Sequence, residues 1–276
     1  MLLPRVLLVP PMTTLALDEH RRHHTPMLEA LEAEATRLHG EAPQVALAVS
    51  ARWHSDGPFQ VDVGARHRTL TDYPGFGVEV RYDCPGHPAM ARALLAAGEQ
   101  AGVRVGPAVR GVDSGVTLPF HFLIPRRQAP VVPLSVASRG PAECRAWGAV
   151  VRRVLDAWPE RALVVVGGLL SADTHSWSFR RDVPEAVAFD EHAIAALRDG
   201  RWDALRAVDG HMLERAHPDA GLSHLDLLRG ILGADVPGEL LAYEAASGMG
   251  AALMAFTAAG VAPGDTPSHP AGAHGA

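Results

Sequence analysis

Short and almost uninterrupted apolar runs recur along the chain, and they constrain its fold more than any other feature. The runs VALAVS, VVPLSV and ALVVVG show no alternation of apolar and polar residues. This pattern is typical of strands that are covered on both faces, as in parallel sheets. Longer segments of helical period separate the runs, so the chain is predicted to be an α/β protein. We expect a single αβα domain over residues 1–260, with a central, mostly parallel or mixed sheet.

The same patterns predict the order of the elements. Four predicted helices begin at a proline, which suits a first helical turn because its missing N–H has no partner there in any case. The final residues, 261–276, are small, polar and rich in proline, and we expect them to be a disordered tail. The predicted strands are 5–9, 45–50, 59–63, 77–82, 131–136, 162–167 and 239–244, and the predicted helices are 26–38, 88–101, 141–158, 184–198, 202–215, 221–233 and 247–259.

Charge and composition exclude several classes of function. The 276 residues carry a formal net charge of −6, and all 25 basic residues are arginines because the chain has no lysine. The arginines are scattered among acidic residues, whereas nucleic-acid binding needs a basic patch. The apolar runs are too short to span a membrane, and two distant cysteines indicate neither a disulfide framework nor a thiolate metal site. We therefore expect a cytoplasmic protein that binds neither nucleic acid nor a membrane.

Polar loops follow several predicted strands, at the place where ligands bind in open α/β sheets. The loop after VALAVS contains Arg52 and His54, and we expect a functional and a structural role for it equally. Asp113 lies in GVDSG, a composition typical of a turn. The loop after ALVVVG begins with two glycines and carries Ser171 and His175. His54, Asp113, Ser171 and His175 are the candidates for a cleft.

Fifteen histidines suggest a metal-site hypothesis. Three of them, His20, His23 and His24, share helical spacing in DEHRRHH. Because acids and arginines surround these histidines, we favour a solvated charged segment at the start of a helix. A metal site is the less favoured interpretation. His269 and His274 fall in the expected tail and reflect its composition.

The order of the loop motifs resembles the class III extradiol dioxygenase superfamily. LLVPP follows the first strand, SARW follows the second, VDSG precedes VVPLSV, and VVGGLLS is followed by AGLSHLDLLRGILG and YEAASGMGAALMAF. Each motif is weak alone, but their order and spacing over nearly the whole chain are specific. The resemblance implies the αβα fold of this superfamily and, for its active members, cleavage of a catechol or aminophenol ring.

In active members of this superfamily two histidines and a glutamate bind Fe(II), and a further histidine acts as acid and base. The resemblance places Pro11 at the first iron histidine, or Met12 if the alignment slips by one residue, and Arg52 at the second. It places Gly221 at the glutamate and Ala172 at the acid/base histidine. Proline cannot ligate iron, and a protonated guanidinium offers no lone pair and repels the ion. All four positions are therefore substituted, and no cofactor is expected.

Within this superfamily the chain is most similar to the noncatalytic α subunit of 2-aminophenol 1,6-dioxygenase. That subunit has its catalytic partner's fold but lacks the iron ligands, and it shares a GGLS segment without a following histidine and a GxxHLxxxxGxL helix. The resemblance implies a noncatalytic subunit, or pseudoenzyme. Such a subunit would pair with a catalytic extradiol dioxygenase homologue, with itself, or with both.

Two other functions stay open. The chain could be an active extradiol dioxygenase that binds Fe(II) through a displaced ligand set, drawn from His20, His24, His54, His175 and Glu244. It could also be a stand-alone binding protein of the same fold. In a noncatalytic protein the cleft would be open to a small aromatic or anionic ligand at Arg52, or Arg52 would pair with Asp56 or Asp173.

Overall fold

The computed structural model describes residues 1–73 and 77–261, and in these residues strands and helices alternate. The strands are β1 (Leu2–Val9), β2 (Val45–Ser55), β3 (Phe59–Asp62), β4 (Arg66–His67), β5 (Cys84–Pro85), β6 (Val105–Ala108), β7 (Val131–Ala137), β8 (Ala162–Gly167), β9 (Gly238–Ala246) and β10 (Met249–Thr257). The helices are α1 (Thr13–Arg21), α2 (Pro26–Glu41), α3 (Pro88–Gln100), α4 (Ser114–Leu123), α5 (Pro141–Ala157), α6 (Thr174–Ser178), α7 (Pro184–Arg198), α8 (Gly210–Ala216) and α9 (Ser223–Leu232), with 3-10 helices at Trp202–Arg206 and Asp219–Leu222. The disordered tail was expected at residues 261–276. Of these, residues 262–276, with His269 and His274, lie outside the described part of the chain.

Eight of these strands form one mixed sheet, in the order β6-β3-β7-β2-β8-β1-β10-β9. The four central strands, β7, β2, β8 and β1, run parallel to one another. Antiparallel pairs flank them, with β3 against β7 on one side and β10 against β1 and β9 on the other. The prediction of a central, mostly parallel or mixed sheet is confirmed.

The sheet separates two hydrophobic cores. Along β1, Val6 and Leu8 face one core while Leu7 and Val9 face the other. Helices α3, α5, α7 and α9 contribute to the first core, and α1, α2 and α4 contribute to the second. Because both faces of the central strands are covered, their side chains are apolar at successive positions. This is the αβα architecture that the apolar runs predicted.

The predicted helix at 247–259 is wrong, because this segment forms strand β10. Its alanines, methionines and leucines favour a helix in isolation, but helix propensity is a weak preference that tertiary packing overrides. Ser247 and Gly248 both have positive φ, 43° and 84°, and together they form the tight connection to β9. Positive φ at both central residues is the geometry of a two-residue hairpin turn. The Ser-Gly pair was the signal for this hairpin.

The predicted strand at 77–82 is also wrong, because the segment is extended but pairs with no other strand among the described residues. Val80 and Tyr82 are buried while their neighbours are exposed, which explains the alternating pattern. Their backbone N–H groups donate to side chains instead of a ladder. Val80 N donates to Tyr73 Oη over 2.9 Å, and Tyr82 N donates to Thr69 Oγ1 over 2.6 Å.

The predicted helix at 202–215 is divided in two. A 3-10 helix ends at Arg206, and α8 begins at Gly210. Asp209 caps α8, because its carboxylate accepts from the N–H groups of His211 and Met212 at 3.0 and 3.3 Å. The aspartate between two apolar helical segments was the signal for this new start.

No helix in the described part of the chain is both long enough and apolar enough to cross a membrane.

Candidate functional site

A cleft of about 260 Å³ lies beyond the carboxyl ends of the central parallel strands. Its walls come from the segments that follow β1, β4 and β8, from the end of β2, from the start of α4, and from the first residue of β10. This is the edge of an open α/β sheet at which ligands bind. The cleft is lined by Pro11, Met12, Thr13, Arg52, Asp72, Tyr73, Ser114, Thr174, Trp177, Ser178 and Met249. Another cavity, of about 250 Å³, lies between α2 and the end of α4 and contains none of these segments.

Arg52 enters the cleft because β2 is irregular near its end. Its register with β7 shifts between Ser50 and His54, so residues 51–53 leave the regular ladder. The Arg52 backbone N–H donates to Ser50 Oγ over 3.2 Å. Arg52 is partly buried, and its guanidinium makes no ion pair or hydrogen bond with any residue that the structure describes. Near the end of a central strand there is thus an arginine that the described residues leave without an ion-pair partner.

The expectation that Arg52 pairs with Asp56 or Asp173 is wrong. Asp56 accepts a hydrogen bond from Ser138 Oγ over 3.3 Å. Asp173 caps α6, accepting from the N–H and the hydroxyl of Ser176 at 3.0 and 2.6 Å. Both carboxylates are therefore engaged elsewhere.

Asp72 forms the acidic wall of the cleft. It accepts from the backbone N–H of Ser114 over 3.0 Å and from the Ser114 hydroxyl over 2.8 Å. Desolvation and the nearby charge of Asp113 raise the pKa of Asp72 above its usual value, although the Ser114 hydrogen bonds oppose this shift. Asp72 thereby connects its own loop to the first residue of α4.

His224 is a functional candidate that sequence reasoning missed. It is the second residue of α9 and is completely buried. Its ring lies against Gly168, where an added Cβ would be 2.6 Å from Cδ2 and 2.8 Å from Nε2. Neither ring nitrogen has a hydrogen-bond partner of good geometry among the described residues. Desolvation lowers the pKa of His224, the positive charge of Arg52 lowers it further, and Asp219 opposes both. The imidazole is therefore neutral near pH 7.

The four sequence-predicted cleft candidates lie outside the lining of the cleft. His54 is exposed and hydrogen bonds to Ser138 Oγ over 2.6 Å. His175 is exposed, and its ring packs tilted against that of Phe179 at a centroid distance of 4.9 Å. Asp113 lies buried behind the wall, where it accepts from Ser50 Oγ over 2.7 Å.

Ser171, the fourth candidate, belongs to a buried structural cluster. Its hydroxyl and its N–H donate to Asp190 at 2.9 and 3.0 Å, and Tyr243 Oη donates to the same carboxylate over 3.0 Å. These bonds fasten the loop after β8 to α7 and β9. Ser171 therefore anchors the loop and does not face the cleft.

The four substituted positions that the resemblance identified divide between the cleft and its surroundings. Pro11 and Arg52 line the cleft, as expected from their places after β1 and β2. Ala172 bridges to Met249, whose side chain forms part of the wall. Gly221 is exposed with a φ of 57° and is not among the residues that line the cleft. Helix α9 begins two residues later, and the buried residue at its start is His224.

The displaced ligand set is not brought together. His20 and His24 are exposed near the end of α1, and Glu244 lies on β9 opposite Ala251. His54 and His175 are exposed at other places described above. In residues 1–73 and 77–261, no group of three or more His, Cys, Asp or Glu side chains is arranged to hold a metal ion.

The donors present do not fit an Fe(II) centre of two histidines and a carboxylate. His224 supplies one neutral imidazole whose nitrogens are unpartnered in the described part of the chain. The charged groups that act on its ring include the carboxylate of Asp219, which accepts from Leu169 N over 2.9 Å, and the guanidinium of Arg52. Arginine has no lone pair to donate and carries a permanent positive charge. Pro11 and Met12, which line the cleft, supply neither an imidazole nor a carboxylate. Without a second histidine arranged beside His224 in the described residues, this is not a ferrous site of two histidines and a carboxylate.

Comparisons with known proteins agree on the architecture. The profile described as "Catalytic LigB subunit of aromatic ring-opening dioxygenase" matches residues 9–254. A 4,5-DOPA dioxygenase extradiol of Beta vulgaris is 26% identical over 204 residues, which are 71% of this chain and 73% of that protein. The crystal structure of an uncharacterized protein from Escherichia coli K12 superposes with a TM-score of 0.65 and 18% identity, covering 91% of this chain and 98% of that one. That likeness shows the fold alone. Because the family profile covers almost the whole described chain, this protein belongs to the LigB family of class III extradiol dioxygenases.

Proposed function

We propose that this chain is a noncatalytic member of the LigB family, a pseudoenzyme subunit that binds no iron and assembles with a catalytic homologue or with a second copy of itself. The observation that carries the proposal is Arg52 near the end of β2, where the family resemblance expects an iron histidine. Its guanidinium has no ion-pair partner in residues 1–73 and 77–261. The other expected positions hold Pro11, Ala172 and the exposed Gly221.

Electrostatics supports this proposal. A unit charge about 4 Å from another contributes about 4 kcal/mol at an effective dielectric constant near 20. A divalent ion at that distance from Arg52 would meet roughly twice that repulsion. The described residues arrange no group of three His, Cys, Asp or Glu side chains to offset it. The Arg52 charge cannot be removed at neutral pH, because a guanidinium does not release its proton in proteins.

A retained scaffold supports the assignment as a subunit. The described residues form the eight-stranded sheet, both hydrophobic cores and a cleft, so a noncatalytic chain of this family would keep a folded surface for assembly. A folded chain that lacks the metal-ligating side chains can still function by stabilising or regulating a partner of the same fold.

The test combines metal analysis, oxygen uptake and co-purification. We expect the chain, purified anaerobically with added Fe(II), to hold far less than one iron per chain and to consume no oxygen with catechols or aminophenols. A catalytic LigB homologue treated in the same way is the control that establishes competent loading. Stoichiometric iron together with oxygen uptake would contradict the noncatalytic assignment.

The assembly is tested separately. Co-expression with an untagged catalytic homologue from the same genome should yield a stable hetero-oligomer, or the chain alone should form a defined homo-oligomer by sedimentation. A chain that stays monomeric and retains no homologue would disprove the subunit role and leave a stand-alone binding protein.

A further inference from the structure

We propose that the cleft is a binding site for a small aromatic monocarboxylate, with the Arg52 guanidinium holding the carboxylate. This inference rests on the proposed noncatalytic function, because the guanidinium supplies a fixed positive charge where a metal ion would otherwise lie.

The first argument is that Arg52 differs from other partly buried arginines of the protein. Arg5 pairs with Glu34 over 2.7 Å, and Arg229 pairs with Asp203 and Asp235 over 2.6 Å each. Arg52 has no such partner among the described residues, although it lines a concave surface. A partly desolvated guanidinium whose N–H groups are unused is unfavourable unless an anion accepts from them.

The second argument is geometric. The guanidinium presents a planar fork of N–H donors that matches the two oxygens of a carboxylate. Thr13 and Thr174 line the same cleft, and a threonine hydroxyl can donate a hydrogen bond to an anion. The site therefore suits a carboxylate better than a spherical ion.

The third argument concerns the body of the ligand. Tyr73, Trp177, Met12 and Met249 provide aromatic and thioether walls. Such walls favour a flat aromatic ring, because aromatic pairs and sulfur–aromatic contacts are both favourable. A volume of about 260 Å³ lies just below the range of roughly 300 to 1,000 Å³ for pockets that hold drug-sized ligands. A single ring with one substituent is the matching size.

The fourth argument limits the charge of the ligand to one. Asp72 lies in the same cleft and already accepts two hydrogen bonds from Ser114. A second anionic group on the ligand would be repelled by this carboxylate. His224, buried nearby and neutral, adds no positive charge to compensate for it.

The test compares benzoate with benzamide, which has nearly the same shape but no charge. Binding to the full chain is measured by isothermal titration calorimetry, with ligand-observed NMR for weak complexes. We expect benzoate to bind and benzamide to bind at least tenfold more weakly. Arg52→Gln should weaken benzoate binding by about tenfold to a hundredfold, the usual size of a lost hydrogen bond to a charged group. Arg52→Lys should restore part of the affinity, since it keeps the charge but not the fork.

The matched control is Arg153→Gln, which removes an exposed arginine of α5 that does not line the cleft. It should leave benzoate binding unchanged, and unfolding curves of every variant establish that each is folded. The proposal is overturned if benzoate does not bind at about 10 mM, if benzamide binds as tightly, or if Arg52→Gln and Arg153→Gln behave alike. Iron binding with oxygen uptake would disprove the noncatalytic function instead, and Arg52-dependent benzoate binding would survive that result.

Discussion

Asp190 is a buried carboxyl group that makes the folding stability of this protein depend on pH. Only 1% of its surface is exposed, and it accepts hydrogen bonds from Ser171 and Tyr243. Desolvation outweighs these bonds and raises the pKa of Asp190 from 3.8 to about 6. A carboxyl whose pKa is higher in the folded state stabilises the fold when it is protonated. The contribution of Asp190 to the free energy of unfolding is therefore complete below about pH 4 and is lost as the pH rises through about 6.

We therefore expect Asp190→Asn to flatten the pH dependence of stability between about pH 4 and 7. The wild type should lose up to about 3 kcal/mol across this window, from a shift of roughly two pKa units. The amide keeps an oxygen that can accept from Ser171. Urea denaturation at a series of pH values measures the effect. The control is Asp182→Asn, at an exposed aspartate, and an unchanged slope in Asp190→Asn would refute the prediction.

His224 is a buried imidazole whose ring nitrogens lack partners in the described residues. Its pKa is lowered by burial, so its stabilising contribution is complete above the unfolded value near 6.5 and is lost as the pH falls below it. Replacement by an apolar residue of similar size removes both the orphaned nitrogens and this titration.

We expect His224→Leu to be about 1 kcal/mol more stable than the wild type at pH 7, because an unsatisfied buried polar group is removed. The gain should increase toward pH 5. Chemical denaturation at both pH values is the measurement, and His24→Leu at an exposed position is the control. If His224→Leu were less stable than the wild type at pH 7, the prediction would be contradicted.

At the scale of elements, helices α5 and α9 pack unusually closely. Gly148 and Gly230 face each other at the crossing, and a Cβ on Gly148 would lie 2.8 Å from the Cα of Gly230. A Cβ on Gly230 would collide with the carbonyl oxygen of Arg145. Because α9 carries His224 at its start, this crossing also sets the distance between that imidazole and the loop after β8.

We expect Gly230→Ala to destabilise the protein by about 1 to 3 kcal/mol, as overpacking of a core does. The matched control is Gly210→Ala at the start of α8, where an added Cβ meets nothing within 4 Å. That variant should be neutral or slightly more stable, since alanine has the better helix propensity. Thermal and urea unfolding compare the two, and equal stabilities would contradict the close-packing argument.

The two segments whose type was mispredicted, 247–259 and 77–82, share one cause. Strand β10 contains the alanine-rich segment GAALMAF, yet it lies between β1 and β9, where every position up to Phe256 is buried. The extended segment near Tyr82 has a strand-like alternation, but Thr69 and Tyr73 take up its N–H groups. In both cases a partner outside the segment decided the backbone, and the propensity of the segment itself could not indicate it.

At the scale of the whole molecule, the proposed function predicts that stability does not depend on metal. A ligand that binds the native state alone raises its stability according to its concentration and affinity. Added Fe(II), or removal of metal by a chelator, should therefore leave Tm unchanged, whereas an excess of benzoate should raise it. Differential scanning calorimetry under nitrogen is the measurement, and a catalytic LigB homologue that responds to Fe(II) is the control. A rise of Tm with Fe(II) would contradict the prediction.

The sequence by itself determined the layered architecture and the family. Apolar runs such as ALVVVG require cover on both faces, and the order of the loop motifs is specific even where each motif is weak. It also located Pro11 and Arg52 at the strand ends, because position along a parallel strand determines which edge of the sheet a residue reaches.

Only the tertiary structure decided which side chains meet in the cleft. His54 and His175 are near the right strand ends in sequence, yet both turn to the surface, while Asp72, Trp177 and Met249 come together from distant segments. The absence of a partner for Arg52 among the described residues depends on where distant segments of the chain are placed. The burial of His224 beneath the loop after β8 likewise depends on a contact with Gly168, which lies far from it in sequence. Such contacts follow from the packing of whole layers, which no local pattern encodes.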